Sequence, residues 1–259
     1  MTQRITSPQT KQIERLMADA LGNTNPNKDG AQRLIERGDE FMAYIVAGIN
    51  RFTAKTPNYE LARAILGDDF ISPEEIATAR GLTYTPDQLT MFGVTLPSQE
   101  VLTWCRDNGF MLVAGSPRDM SLLDIRELKR EYLYTKEGGW YAESSEKFAR
   151  DDKVTCRWLM LRKEPVPNST SKTLSEQEQL LSDLEVVPNV AEMVWGLTTY
   201  KTVRGVYLLP SLYVRTSSVD SFGYRVFVGV FDGVGLLVGC WHVHARYDYV
   251  GVSSSRKAL

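Results

Sequence analysis

The pattern of hydrophobic residues changes along this chain, and that change is what most constrains the fold. In the first part they recur at helical spacing, as in residues 9–21. Residues 72–75 and 85–88 each place a hydroxyl, a proline and then Glu or Gln where a helix begins, which is a capping box. Beyond Gly205 almost every apolar run is strand-like. Helices followed by a run of strands predict an α+β fold.

The pattern also predicts individual elements. Helices are expected at 9–21, 31–52, 98–108, 121–129, 173–184 and 188–200, besides those that follow the two capping boxes. Strands are expected at 110–114, 158–162, 206–209, 212–216, 225–231, 236–243 and 249–254, antiparallel in the C-terminal half. We therefore predict a helical N-terminal region, 1–109, and a second domain, 110–259.

Composition excludes several classes of function. The net charge of −2 gives no electrostatic reason to expect a nucleic-acid partner. No signal peptide and no membrane-spanning run are recognisable, so membrane insertion is not expected. Three widely spaced cysteines do not form a disulfide framework. The cytoplasm is the default location, with surface display or export by another route left open.

The candidate functional residues lie near the C-terminus, between two strand-like runs. Residues 235–257 hold both histidines of the chain together with a cysteine, a tryptophan, an aspartate, two tyrosines and, among the arginines, Arg246. Side chains suited to contact at the end of a rigid sheet are typical of a binding surface.

The same residues could also suggest a catalytic or a metal-binding site. Cys240, His242 and His244 would share one face of a strand, but the chain has no further histidine to complete a metal site. No third group that could orient a base for a Cys240 nucleophile is identifiable. The carboxylates form no obvious acid–base pair, and there is no glycine-rich phosphate loop. We expect no catalytic residue, metal or cofactor.

Two segments resemble a known fold family. Residues 187–195, followed by Arg204 and Gly205, are similar to a helix of the formylglycine-generating, sulfatase-modifying-factor proteins, which have a C-type-lectin-like fold. Glu192 matches the family glutamate, and the departures are Asn189, Met193 and Val194. Residues 250–257 resemble the last strand of the same fold. The resemblance implies a C-type-lectin-like domain over 110–259.

A second resemblance is to the variable proteins of diversity-generating retroelements. It is carried by Gly-Gly-Trp-Tyr at 138–141, Val-Arg-Gly-Val at 203–206, Tyr-Val-Arg-Thr-Ser-Ser at 213–218, Phe-Asp at 231–232 and the closing Gly-Val-Ser-Ser-Ser-Arg-Lys. In that family a reverse transcriptase copies a template with errors at adenines, and the copy replaces the 3′ end of the gene. The resemblance implies a variable segment at about 235–250.

The residues permit one check of this idea. Adenine mutation of AAC or AAT codons gives fifteen residue types, and every residue from 236 to 250 except Trp241 is among them. The Trp codon contains no adenine, so Trp241 is predicted to be fixed scaffold that packs against the sheet. Glu, Gln, Lys and Met are absent from the whole of 205–256, which extends well beyond residues 236–250. The composition is therefore consistent with a variable segment but does not define where it begins or ends.

These interpretations lead to one main hypothesis and two alternatives. The main hypothesis is a non-enzymatic ligand-binding protein whose partner is a protein or cell-surface molecule. The predicted variable surface consists of Leu237, Gly239, Cys240, His242, His244, Arg246, Tyr247, Asp248 and Tyr249. The alternatives are a formylglycine-generating-type oxidase of peptide cysteine, which would need a second nearby cysteine, and a structural phage-related assembly component.

Overall fold

The computed structural model describes residues 7–24, 26–38, 41–42, 45 and 59–257. The chain divides into two compact units, Met1–Thr53 and Ala54–Leu259. In the first unit, helix α1 (Ser7–Thr24) contains the predicted helix 9–21. Helix α2 (Lys28–Glu36) begins at Asn27, whose side chain accepts a hydrogen bond from the Gly30 amide at 2.8 Å. Residues 46–52 of the predicted second helical stretch lie outside the described residues.

The second unit alternates short helices with strands. Its α-helices are α3 (Glu60–Leu66), α4 (Pro73–Arg80), α5 (Pro86–Val94), α6 (Gln99–Asp107), α7 (Leu122–Leu128), α8 (Phe148–Asp151), α9 (Leu174–Glu178) and α10 (Val190–Arg204). The two capping boxes predicted from sequence are confirmed at the starts of α4 and α5. Another capping box, between Asn189 and Glu192, starts α10, which ends at Gly205 with a left-handed φ of 75°.

Two mixed sheets share this unit. The strands are β1 (Phe70–Ile71), β2 (Phe110–Ala114), β3 (Trp158–Arg162), β4 (Glu185–Val186), β5 (Tyr213–Val219), β6 (Arg225–Gly229), β7 (Leu237–Trp241), β8 (Val250–Val252) and β9 (Ser255–Arg256). One sheet has the order β1-β2-β3-β9-β4 and the other β7-β6-β5-β8. β1 pairs with β2, and β5 with β8, in parallel. The α+β class is therefore present. Most strand pairs of the C-terminal half are antiparallel as predicted, and the pair of β5 with β8 departs from the prediction.

Helix α10 connects the two sheets through the core. It contacts β3 of the five-stranded sheet and both β5 and β6 of the four-stranded sheet. Trp195 is fully buried on it and donates its indole N–H to the Ala114 carbonyl at 2.9 Å. A side chain at Gly196 would collide with Leu161 and Met111, so the glycine permits this close approach of helix and sheet.

Some predicted elements differ from the structure for identifiable reasons. Residues 206–209 do not form a strand, and Leu209 has a left-handed φ of 54° directly before a proline. The predicted helix 173–184 ends at Glu178 as α9. Ser182 then donates its hydroxyl to Glu185 at 2.8 Å, which closes a turn into β4.

The compact unit that contains the sheets begins earlier in the chain than the predicted domain boundary. Phe70 and Ile71 pair with Leu112 and Val113, so β1 extends the sheet that β2 belongs to. Phe92, on α5, lies against the ring of Trp158 with centroids 4.9 Å apart. The division at residues 53 and 54 therefore leaves the helices from residue 60 onward in the same unit as the sheets, whereas the sequence pattern placed the boundary at 109.

The prediction that the last strand is buried within a sheet is confirmed. β8 pairs with β5, and β9 lies between β3 and β4 in the other sheet. Residues 250–256 are all buried. The C-terminal segment therefore contributes strands to both sheets.

Candidate ligand-binding surface

The four-stranded sheet has two unlike faces. Successive residues of a strand point to opposite sides. The inner face carries a layer of small aliphatic side chains that belong to the hydrophobic core, namely Val214, Val226, Val228 and Val238. The outer face, defined by the register of the strands, carries Tyr213, Arg215, Phe227, Gly239 and Trp241. The predicted surface residues are distributed over both faces and the loop after β7.

Trp241 lies at the centre of an aromatic cluster on the outer face. Its ring stacks on Phe227 with centroids 4.3 Å apart and lies 4.5 Å from the Tyr247 ring. Tyr249 and Tyr213 approach it edge-on at 5.6 and 5.9 Å. Phe227 is buried, whereas Trp241 and Tyr247 are half-buried and Tyr249 is 38% exposed. Aromatic pairs at these separations attract beyond the effect of their buried area.

Gly239 provides the space for this stacking. A Cβ atom at residue 239 would lie 2.3 Å from the Phe227 ring. Any side chain there would push the Phe227 ring out of its position beside Trp241. The predicted variable position 239 is therefore a packing position in the structure.

A second group of aromatic and imidazole rings lies at the turn between β5 and β6 and the start of loop 242–249. Phe222 is 80% exposed and stacks on Tyr224 at 6.4 Å. The Tyr224 ring lies 5.5 Å from His242, which lies 5.1 Å from His244. Both histidines are exposed. Rigid aromatic side chains give large contact area at low entropic cost, as in antibody loops.

The loop after β7, residues 242–249, alternates in exposure. His242, His244, Arg246 and Asp248 are exposed, and the intervening residues 243, 245 and 247 are half-buried. Carbonyls of its odd-numbered residues accept hydrogen bonds from donors outside the loop. These bonds are Leu174 N to Val243 O at 2.9 Å, Arg215 Nη2 to Ala245 O at 2.6 Å, Ser171 N to Tyr247 O at 2.8 Å and Tyr213 N to Tyr249 O at 2.9 Å. The loop is thus positioned through its backbone.

Arg215 is the one side chain among these four donors, and it is fully buried. Besides Ala245, its guanidinium donates to the side-chain carbonyl of Gln177 at 2.7 Å and to the Lys172 carbonyl at 3.2 Å. Gln177 in turn donates to the carbonyls of Ser169 and Val250. Burial lowers the pKa of the Arg215 guanidinium. A buried, fully oriented guanidinium is a rigid connection between β5, α9 and the loop.

An ion pair at the surface also links loop 242–249 to helix α9. Arg246 donates to Glu176 at 2.8 Å, and both side chains are about half exposed. Glu176 also closes the capping box of α9 with Thr173. Hydrogen bonds from the Thr173 backbone and from Arg246 lower the pKa of Glu176 to about 2. Exposed pairs of this kind contribute little to stability, so the backbone contacts above dominate.

The strand β7 ends earlier than predicted, which separates Cys240 from the two histidines. β7 stops at Trp241, and residues 243 and 244 form a turn in which the His244 amide donates to His242 Nδ1 at 3.2 Å. The prediction that Cys240, His242 and His244 share one strand face is therefore wrong. In the described part of the chain, no three metal-ligating side chains come together.

Cys240 lies on the inner face, opposite Val226 and away from Trp241. Burial, together with the hydrogen bond and charge of Asp220 and the charge of Glu146, raises the pKa of the Cys240 thiol to about 12. Burial likewise raises the pKa of Cys105 to about 11 and that of Cys156. Thiols with raised pKa values are poor nucleophiles at neutral pH.

The remaining predicted residues lie on the surface as follows. Leu237 is half-buried at the far end of β7, opposite Gly229, and Tyr247 and Tyr249 belong to the aromatic cluster. Sequence reasoning missed five residues because they lie outside the 235–257 segment, on β5, on β6 and in the turn between them, namely Tyr213, Arg215, Phe222, Tyr224 and Phe227. Alternation in β5 and β6 could have placed Tyr213, Arg215 and Phe227 together, since they fall on one face.

Comparison of the chain with protein-family models, with curated proteins and with solved structures finds no match in any of the three. Across the residues that the structure describes, no helix combines the length and the apolar character needed to span a bilayer.

Proposed function

We propose that this chain is a non-enzymatic ligand-binding protein that uses the outer face of the four-stranded sheet and the exposed residues of loop 242–249. The partner we propose is a protein or a cell-surface molecule. The observation that carries the proposal is the way the loop is held. Four of its carbonyls accept hydrogen bonds from outside, so the loop is held mainly through its backbone. Among the exposed side chains of the loop, Arg246 adds a surface contact to Glu176.

The chemistry of the surface supports a macromolecular ligand. Tyrosine, tryptophan and arginine are enriched where proteins bind one another, and the half-buried rings around Trp241 are already ordered by stacking. Preordered side chains lose little conformational entropy on binding. The raised pKa values of the three thiols give no support to an oxidase that acts through a cysteine pair.

We further propose that the domain is C-type-lectin-like and that its codons near 235–250 are diversified by a retroelement. The loop hydrogen bonds support this, because backbone carbonyls are present whatever residue is encoded. Sequencing the gene's neighbourhood tests it. The expected result is a reverse-transcriptase gene and a near-copy of codons 235–257 that differs only at adenines. Absence of both would overturn the retroelement proposal and leave the binding proposal standing.

A display experiment tests the binding surface itself. A library randomised at His242, His244, Arg246 and Asp248 would be displayed and selected against a purified protein such as lysozyme. A matched control library would vary four exposed helix positions, namely Lys28, Gln32, Arg33 and Glu36 of α2. Specific binders are expected from the loop library and not from the control. Equal enrichment from both libraries would contradict the proposed surface.

A further inference from the structure

A separate pocket lies against the five-stranded sheet. It encloses about 470 Å³ between the α5–α6 connection and strands β3 and β9. Its apolar lining includes Met91, Leu96, Val101, Trp158 and Met160. None of its lining residues belongs to the outer face or to loop 242–249. Small-ligand sites are typically of this size and combine apolar walls with a few polar groups.

Two arginines supply the charge of this pocket, and they differ in their pairing. Arg157 forms an ion pair with Glu192 and has a side chain that is about half exposed. Arg256 is 7% exposed, and no carboxylate among the described residues lies within ion-pair distance of it. Its hydrogen bond to the Lys257 carbonyl is long, 3.3 Å, and its buried Nε has no partner in the described part of the chain.

The burial of Arg256 is unusual for a charged side chain. Its guanidinium lies over the Trp104 ring, 5.1 Å from the centroid, which accounts for one face of the group. Glu185 lies opposite Arg256 in the register of β4 and β9, but its carboxylate is directed to Arg162 at 3.8 Å and accepts a hydrogen bond from Ser254. A buried cation that lacks a counter-charge is costly, and an anion that reaches it forms a strong charge-assisted hydrogen bond.

We propose that this pocket binds a small carboxylate with an apolar body, such as an acyl or aromatic acid. The carboxylate pairs with Arg256, and the apolar body lies against Met91, Trp158 and Met160. The apolar lining selects a ligand with a hydrocarbon part, and the unpaired guanidinium selects one with a negative charge. This inference is independent of the proposed function of loop 242–249.

The first test uses the unaltered protein and three probes of equal chain length: decanoate, decanol and decylamine. Binding would be followed by titration calorimetry and by the methyl resonances of methionine. Decanoate is expected to bind most tightly and to shift the resonances of Met91 and Met160. The core residues Met111 and Met193 serve as internal controls whose resonances should not move. Equal affinity for the three probes, or no shift at Met91 and Met160, would overturn the proposal.

The second test removes the charge. Arg256→Met is expected to weaken decanoate binding by a factor of about 10–100, since hydrogen bonds to charged groups are strong, and to leave decanol binding unchanged. Arg106→Met, on the exposed side of α6, is the matched control and should change neither affinity. Undiminished decanoate binding by the Arg256 variant would exclude Arg256 as the carboxylate partner. If that variant does not fold, the probe preference and methyl shifts of the unaltered protein decide the question.

Discussion

The two faces of the four-stranded sheet are built from the same strands and yet are held in different ways. On the inner face, buried valines belong to a close-packed core, in which a change of side-chain volume alters the stability of the fold. On the outer face, a partly buried aromatic cluster is held by ring stacking, and the loop beside it is held by Arg215 and by backbone hydrogen bonds. The comparison indicates that a surface loop can be positioned mainly by backbone hydrogen bonds, with little dependence on the identity of its exposed side chains.

The largest expected effect on the outer face is the loss of Arg215. Arg215→Leu leaves the carbonyls of Lys172 and Ala245 and the Gln177 side chain without their donor, and each buried unsatisfied group costs about 1–3 kcal/mol. We expect a loss of about 3–5 kcal/mol in the free energy of unfolding and faster hydrogen exchange at residues 243–247. The matched control is Arg225→Leu on the neighbouring strand, expected to cost about 1 kcal/mol or less because Arg225 is paired near the surface. Similar costs for both variants would mean that Arg215 does not hold the loop.

The next effect concerns Trp241. A fully buried tryptophan would cost about 3–5 kcal/mol on truncation to alanine. Because Trp241 is only partly buried, we expect about 2–3 kcal/mol for Trp241→Ala, measured by urea denaturation. Leu236→Ala, at the buried residue just before β7, is the inner-layer reference and should cost about 2–5 kcal/mol. A Trp241 variant as stable as the unaltered protein would remove this residue from the scaffold.

Gly239→Ala tests the packing position. The added methyl group meets the Phe227 ring, and overpacking of this kind costs about 1–3 kcal/mol. A thermal melt would measure it, with Gly233→Ala, where an added Cβ meets nothing, as the matched control. If the two variants have the same melting temperature, residue 239 can vary as the sequence pattern predicted.

A combined exchange of the exposed loop residues should have a small effect. Replacing His242, His244, Arg246 and Asp248 by serine is expected to change stability by about 2 kcal/mol or less in total, since exposed substitutions cost about half a kcal/mol or less each. Chemical denaturation and a circular-dichroism spectrum would check it. Unfolding of this variant would show that the exposed side chains, and not the loop carbonyls, hold the surface.

The smallest effect is the acid dependence of the Glu176 contacts. The folded-state pKa of Glu176, about 2, lies below its ordinary value of 4.5. The stabilisation is therefore fully present above about pH 4.5 and is lost as the pH falls towards 2. The difference in stability between the unaltered protein and Glu176→Gln should shrink over this window. A difference that is the same at pH 6 and at pH 2.5 would show that these contacts do not depress the pKa.

Local hydrogen bonding made part of this fold predictable. The capping boxes at Ser72 and Thr85 and the strands β2 and β3 follow from residues a few positions apart, and the structure places them where the sequence did. The parallel pairing of β5 with β8 depends on residues far apart in the chain, which no local pattern encodes.

Only the contiguous stretch of the candidate surface, loop 242–249, was predictable from the sequence. The exposed residues of loop 242–249 were identified from their chemistry. The burial of Arg215 was not, because an arginine on the outward side of a strand is normally expected to reach water. Its partners, Gln177 and Ala245, come from segments that the fold alone brings together.

The position of the closing segment, residues 250–256, determines which kinds of mutation in the preceding codons the fold can tolerate. It supplies β8 to one sheet and β9 to the other, and β4 joins its sheet only through β9. A frameshift anywhere in the codons for 237–249 would rewrite this segment and leave both sheets incomplete. Single-base substitutions in the same codons would leave it intact. Only a chain translated in frame through the loop therefore contains β8 and β9 and can complete both sheets.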